Sequence, residues 1–138
     1  MFVLDSSVAL AMLLPDERNA AADALGEHLA ASGVCVPCIW PLEVRNALLS
    51  AFRQKRMTAR ALDERLSVLV ALPIEVEASP DADRLASTVA LARRYDLTTY
   101  DAAYLELARH RGISLATFDG PLRRACSRAK VALMAATR

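Results

Sequence analysis

The chain lacks any strong excess of charge of one sign. Its 17 Lys and Arg stand against 16 Asp and Glu, a formal net charge of +1, so no overall basic field draws it to nucleic acid and a polyanion partner needs a local patch. It also lacks long apolar runs. The longest, Val8 to Leu14 and the proline-interrupted Val34 to Leu42, fall well short of the roughly 18 residues of a membrane span. The opening Met1-Phe2-Val3-Leu4-Asp5 has no positive region of a signal peptide. A cytoplasmic protein without a membrane partner is the expectation.

Histidine is scarce, with only His28 and His110, and neither has ligand spacing to a thiol, which argues against zinc. The three cysteines, Cys35, Cys38 and Cys126, are an odd number in a chain without a secretion signal, so a disulfide framework is not expected. Cys35-Val36-Pro37-Cys38 matches C-x-x-C, but it lies in an extended-looking run, where residues i and i+3 face opposite ways. A redox pair sits instead at a helix N-terminus, so these cysteines read as core residues. A thiol oxidoreductase using Cys35 and Cys38 is kept as a minor alternative. Aromatics are only 5% of the chain, and Phe2, Trp40 and Phe52 read as core, which leaves no base-stacking platform.

What is present is material for a core. With 138 residues, 54% hydrophobic and 24% charged, the chain fits one compact domain, 1–138, without repeats, linkers or low-complexity segments. Short apolar strands at Phe2–Leu4, Val34–Val36, Ile74–Val76 and Ile113–Thr117, with a fifth candidate at Val131–Met134, alternate with helical stretches. The helices span Val8–Leu14, Glu17–Ser32, Pro41–Arg56 and Thr58 to about Leu72. The later ones run from Ser79-Pro80-Asp81 to Arg94, from Tyr100 to His110, and from Asp119 to about Arg128. In Pro41–Arg56 the apolar side is expected at Leu42, Ala47, Leu48 and Phe52. Such alternation is the pattern of an α/β domain, a parallel sheet covered by helices on both faces.

In such a sheet the site lies beyond the carboxyl ends of the strands. Asp5 ends the first strand, Glu43 sits in the first turn after the second, Asp101 opens the helix after Leu97-Thr98-Thr99, and Asp119 follows the fourth strand. Singly, each has a structural explanation: Asp5 and Asp119 as N-caps, Thr98-x-x-Asp101 as a capping box, Glu43 against a helix dipole. Together, four carboxylates on one rim repel one another unless a cation compensates. Oxygen-only ligands suit Mg²⁺ or Mn²⁺, and such ions typically serve phosphodiester hydrolysis. Ser7 is placed to hold Asp5 or a metal-bound water, and Asn46, one turn past Glu43, to orient that carboxylate.

Four segments then resemble one family: Phe2-Val3-Leu4-Asp5-Ser6-Ser7-Val8, Pro41-Leu42-Glu43-Val44-Arg45-Asn46-Ala47-Leu48, Leu97-Thr98-Thr99-Tyr100-Asp101 through Ala108, and Leu115-Ala116-Thr117-Phe118-Asp119-Gly120-Pro121-Leu122. In this order and at these separations they resemble the PIN-domain ribonucleases, specifically the VapC toxins of bacterial toxin–antitoxin pairs. The resemblance implies a PIN-like three-layer α/β/α sandwich with a central parallel sheet of about five strands, and a homodimer. It also implies Mg²⁺- or Mn²⁺-dependent endonucleolytic cleavage of RNA in the bacterial cytoplasm, and a cognate VapB-like antitoxin through which alone operator DNA is bound. Carried over by position, Asp5, Glu43, Asp101 and Asp119 are the catalytic and metal-binding quartet, Asp5 and Asp101 foremost, with Thr117 supporting. Where many PIN nucleases carry an acid or Asn after the fourth Asp, Gly120-Pro121 stand here.

Arg123, Arg124, Arg128, Lys130 and Arg138 follow Asp119 with no intervening acid, and Arg123, Arg124 and Arg128 are candidate RNA contacts. Arg93-Arg94 read as cations favouring a helix end. The alternative to a nuclease is a non-catalytic or degenerate PIN-like module that binds metal or RNA without cutting.

Overall fold

The computed structural model describes residues 1–134. The elements run β1 (Phe2–Leu4), α1 (Ser6–Leu13), α2 (Ala20–Ser32), β2 (Val34–Val36), α3 (Trp40–Arg53), α4 (Ala59–Ala71), β3 (Ile74–Val76), α5 (Ala82–Tyr95), α6 (Thr99–Arg111), β4 (Leu115–Ala116) and α7 (Gly120–Ala129). The strands form one parallel sheet in the order β3-β2-β1-β4. Phe2, Val3 and Leu4 are all buried. Because successive side chains point to opposite faces, the central strand is covered on both sides. Helices α1 to α4 pack among themselves and α5 to α7 among themselves, giving the three layers expected of parallel strands.

The sheet has four strands rather than about five. Val131–Met134 contributes a single parallel bridge, Leu133 to Leu115, with Leu115 donating to the Ala132 carbonyl and Met134 to the Leu115 carbonyl, both at 2.9 Å. The neighbouring β4 is itself only Leu115–Ala116, without Ile113 and Ser114, and offers no further rungs. Arg138, one of the basic residues singled out in the sequence, lies outside the described residues.

Helix boundaries follow their caps. Asn19, Thr58, Asp81, Thr98 and Asp119 each accept a backbone N–H at the start of α2, α4, α5, α6 and α7. Asp81 is therefore the cap of α5, and Pro80 precedes the helix instead of opening it. Gly112 ends α6 at φ 64°, a left-handed position that suits glycine. In α3 the buried face is Trp40, Val44, Leu48 and Ala51. Leu42 is 76% exposed and Phe52 only partly buried, a register one step from the expected one, because Trp40 takes the inward place. Arg84 joins the layers' edge by binding Glu106 (2.7 and 2.9 Å) and Glu77 (3.0 and 3.1 Å). Among the described residues no helix is long and apolar enough to cross a membrane.

Candidate active site

The carboxyl ends of the strands gather the acids. Asp5 leaves β1 with its own N–H still in the ladder, donating to the Ala116 carbonyl at 3.0 Å. Although it stands at the N-cap position of α1, its side chain makes no capping bond. It is 3% exposed, and its Oδ2 accepts from the hydroxyls of Ser7 (2.5 Å) and Thr117 (2.6 Å). Ser7 in turn accepts the Phe118 N–H at 3.0 Å, and Thr117 the Asp119 N–H at 3.0 Å. The expected supporting roles of Ser7 and Thr117 thus take the form of two relays converging on one oxygen. A hydroxyl has one proton to give. Both protons go to Asp5, so the 3.5 Å approach of Ser7 to Thr117 is contact without a bond.

Glu43 is held by two donors. Ser6 Oγ donates to Oε1 at 2.5 Å and the Tyr104 hydroxyl to Oε2 at 3.1 Å. Since Ser6 spends its proton on Glu43, its 3.4 Å contact leaves Asp5 Oδ1 without a donor. Asn46 is exposed and makes no hydrogen bond to Glu43 among the described residues; it lines the cleft, and its expected place as the orienting residue belongs to Ser6 and Tyr104. Tyr104 is fully buried, and its part in the site is not foreseen from the sequence. Its position three residues after Asp101 on α6 was the available signal, since a buried tyrosine hydroxyl usually finds a partner.

Asp101 lies in the first turn of α6, where its N–H donates to the Thr98 hydroxyl at 3.0 Å. Asp119 caps α7 by accepting the Leu122 N–H at 2.8 Å, so its structural and functional readings coexist. Burial pushes the Glu43 carboxyl above its ordinary range, the bonds from Ser6 and Tyr104 oppose this, and the charges of Asp5 and Asp101 push it further up. Burial likewise raises Asp101, opposed by Thr98 and reinforced by Asp119 and Asp5. The four acids therefore share one field. A cleft of about 540 Å³, lined by Ile39, Leu42, Asn46, Thr98, Tyr100 and two of the four acids, Glu43 and Asp101, opens to solvent.

Among the described residues no group of three or more His, Cys, Asp or Glu side chains stands close enough to hold one ion as placed. The donor set is nonetheless made of hard oxygens under mutual repulsion. It fits Mg²⁺ or Mn²⁺, which keep several waters and take only one or two carboxylates directly. Asp5 Oδ1, the oxygen left without a donor, is the best-placed single ligand.

The basic residues separate. Arg123 donates to the Thr117 carbonyl at 3.0 Å and so buttresses the loop before Asp119. Arg124 is exposed near the start of α7. Arg128 lies at the far end of that helix, stacked on Tyr95, away from the acids it was expected to flank. Cys35 and Cys126 are buried and Cys38 is exposed in the turn before α3. Only two of the three are thus core cysteines. Burial pushes the Cys35 thiol up, the opposite of what a reactive thiolate needs.

Three solved structures share the fold. FitAcB from Neisseria gonorrhoeae superposes with a TM-score of 0.68 at 21% identity, covering 99% of this chain and 98% of the other. The sarcin–ricin loop cleaving toxin VapC20 of Mycobacterium tuberculosis gives 0.66 at 22% identity, over 98% and 99%. A toxin–antitoxin complex from Klebsiella pneumoniae gives 0.56 at 18%, over 86% and 87%. At these identities the likeness is one of fold. No curated protein sequence matches the chain significantly. The PIN domain family model, however, matches residues 2–127, a stretch that holds all four acids and every hydroxyl bound to them, and the chain belongs to the PIN domain family.

Proposed function

We propose that this chain, as a single PIN domain over 1–138, is a Mg²⁺- or Mn²⁺-dependent endoribonuclease and the toxin of a VapC-like toxin–antitoxin pair. The observation that carries the reading is Asp5: a buried carboxylate that does not cap its helix and has one oxygen fixed by two hydroxyls, while the other meets only the Ser6 hydroxyl at 3.4 Å, whose proton goes to Glu43 at 2.5 Å. A purely structural aspartate would use both oxygens. Family membership and the fold shared with a sarcin–ricin loop cleaving toxin and a toxin–antitoxin complex support RNA as the substrate class and an antitoxin as the partner. Bound there, a divalent ion would neutralise charge at the scissile phosphate and acidify the attacking water.

The chain's own residues do the rest. Asp5 and Asp101 would hold the ion, and Glu43 and Asp119 would complete the acidic set. Ser7 and Thr117 fix Asp5, and Ser6 and Tyr104 fix Glu43, so the carboxylates do not reorganise as charge develops on the phosphate. In the net reaction a water oxygen bonds to phosphorus, the phosphodiester P–O bond breaks, and the proton passes to the leaving oxygen. The partners proposed are RNA, a VapB-like antitoxin and a second copy of the chain, in a bacterial cytoplasm.

The test is incubation of total bacterial RNA with the purified chain in Mn²⁺ or Mg²⁺, beside EDTA and Asp5→Asn controls, with new ends mapped by sequencing. Discrete ends absent from both controls are expected. The non-catalytic alternative draws on the absence of a closed ligand group among the described residues; metal binding without cleavage would select it. Retained cleavage in Asp5→Asn would sink the site assignment.

A further inference from the structure

An acidic cleft repels the substrate it is proposed to cut, so affinity for a polyanion has to come from cations elsewhere on the surface. Many surface guanidinium groups are already matched: Arg18 with Asp23, Arg56 with Asp16 and Glu17, Arg60 with Glu64, Arg84 with Glu77 and Glu106, Arg111 with Glu75. Arg94, Arg109, Arg128 and Lys130 have no carboxylate partner among the described residues, and they are neighbours. The Arg94 and Arg128 guanidinium carbons lie 5.5 and 5.2 Å from the centroid of the same Tyr95 ring. Arg94 and Arg109 line one cavity of about 420 Å³ with His110. Arg109 and Lys130 line a second of about 360 Å³.

The geometry points to this surface, at the C-terminal ends of α5, α6 and α7, as a docking face for the phosphate backbone of single-stranded RNA. The proposal rests on the ribonuclease reading and extends it. The only acid lining either cavity is Glu106, buried and already bound to Arg84, and against the four cations stands one exposed acid, Asp96 at the C-cap of α5, so the local field is positive. Stacking on Tyr95 holds two guanidinium planes in place, which reduces what is lost on gripping a phosphate. None of the exposed large apolar residues, such as Leu42, Val70, Leu85, Val89 and Tyr100, lines either cavity. An acidic protein segment would want such anchors, whereas a sugar–phosphate backbone needs none. Asp101 and Arg109 share α6, eight residues or about 12 Å apart along the axis, so a strand a few nucleotides long reaches from the cleft to this face.

The chief competitor is the reading in which these cations only answer the carbonyls of three helix ends. Binding of a labelled single-stranded RNA of about a dozen nucleotides, followed by fluorescence anisotropy in EDTA across a salt series, separates the two. In Arg94→Gln/Arg109→Gln/Arg128→Gln the affinity is expected to fall on the order of tenfold or more, and the log–log salt slope to drop by about 2, at about 0.7 per phosphate contact. Arg109→Gln/Lys130→Gln leaves the Tyr95 stack intact and is expected to fall in the same direction. In Mn²⁺ the loss should appear in KM for the long RNA and not in cleavage of a trinucleotide. Unchanged RNA affinity with a lowered melting temperature would overturn the proposal in favour of the helix-end role. So would unchanged RNA affinity with weakened binding of a polyglutamate peptide. If the parent cleaves RNA while these variants bind and cleave equally well, the face is wrong and the nuclease reading stands. If the parent neither binds nor cleaves RNA, both fall.

Discussion

Neutralising Asp5 is expected to stabilise the metal-free protein and to destabilise it relative to the parent once Mn²⁺ is present. Asp5 is 3% exposed, and its charge acts on both Glu43 and Asp101. At an effective dielectric of about 20, repulsion between two carboxylates of one site is on the order of 2 kcal/mol. Asp5→Asn removes two such terms. It keeps an oxygen that can still accept from Ser7 and Thr117, but those bonds lose their charge, at a cost of about 1 kcal/mol each. The net is a gain of about 1–2 kcal/mol, or a melting temperature about 3–6 °C higher in EDTA for a chain of this size. Mn²⁺ at about 100 times its Kd adds about 2.7 kcal/mol to the parent by mass action and much less to the variant, which has lost a ligand. Two thermal melts across a Mn²⁺ titration should therefore cross. An Asp5→Asn protein less stable than the parent in EDTA, or two curves that rise in parallel with Mn²⁺, would refute the reasoning.

The raised Glu43 and Asp101 carboxyls set a sign for pH. Their folded values exceed the unfolded ones, so their contribution is fully present below the ordinary carboxylate range and is lost as pH rises through the raised values. Denaturant melts in EDTA should show stability declining over that window, and Glu43→Gln/Asp101→Asn should flatten the decline. Tyr104→Phe deletes one of the two donors to Glu43; we expect a stability loss of about 1–2 kcal/mol and a fall of about tenfold in kcat with KM unchanged, measured on a short RNA. Thiol titration of the native chain should count one fast group, Cys38, because Cys35 is buried and burial pushes the Cys126 thiol up to about 11. Cys35→Ser/Cys38→Ser should leave cleavage unaltered, and loss of cleavage in a folded double variant would revive the dithiol reading.

Alternation of short apolar strands with helices is legible in this sequence because a parallel sheet buried on both faces demands unbroken runs such as Phe2-Val3-Leu4 and Val34-Cys35-Val36. The acids are legible for the same reason: parallel topology fixes which end of each strand carries the site. Val131–Met134 has the apolar run of a strand yet forms a single bridge, since such a run pairs only as far as its neighbour has residues to offer, and β4 offers two. Leu42 and Trp40 compete for one inward position, and periodicity alone does not say which wins. What pairs with what is hidden further still. Ser7 next to Asp5 is a local fact, but Thr117 reaches Asp5 across 112 positions and Tyr104 reaches Glu43 across 61. No local pattern encodes such meetings.

The two relays into Asp5 begin at the backbone amides of Phe118 and Asp119, in a loop that follows the last strand of the sheet. During synthesis the chain thus carries Asp5 long before it carries the loop that fixes it, whereas Ser6, Tyr104 and Thr98, which hold Glu43 and Asp101, come earlier. An N-terminal fragment ending ahead of Leu115 lacks β4, the neighbour that β1 pairs with. It also lacks the Thr117 hydroxyl and both amides, so Asp5 Oδ2 loses one of its two donors and the other, Ser7, loses the Phe118 amide that fixes it. On the proposed reading, a fragment of this chain that stops short of Thr117 holds all of the acids but Asp119 and does not cleave RNA.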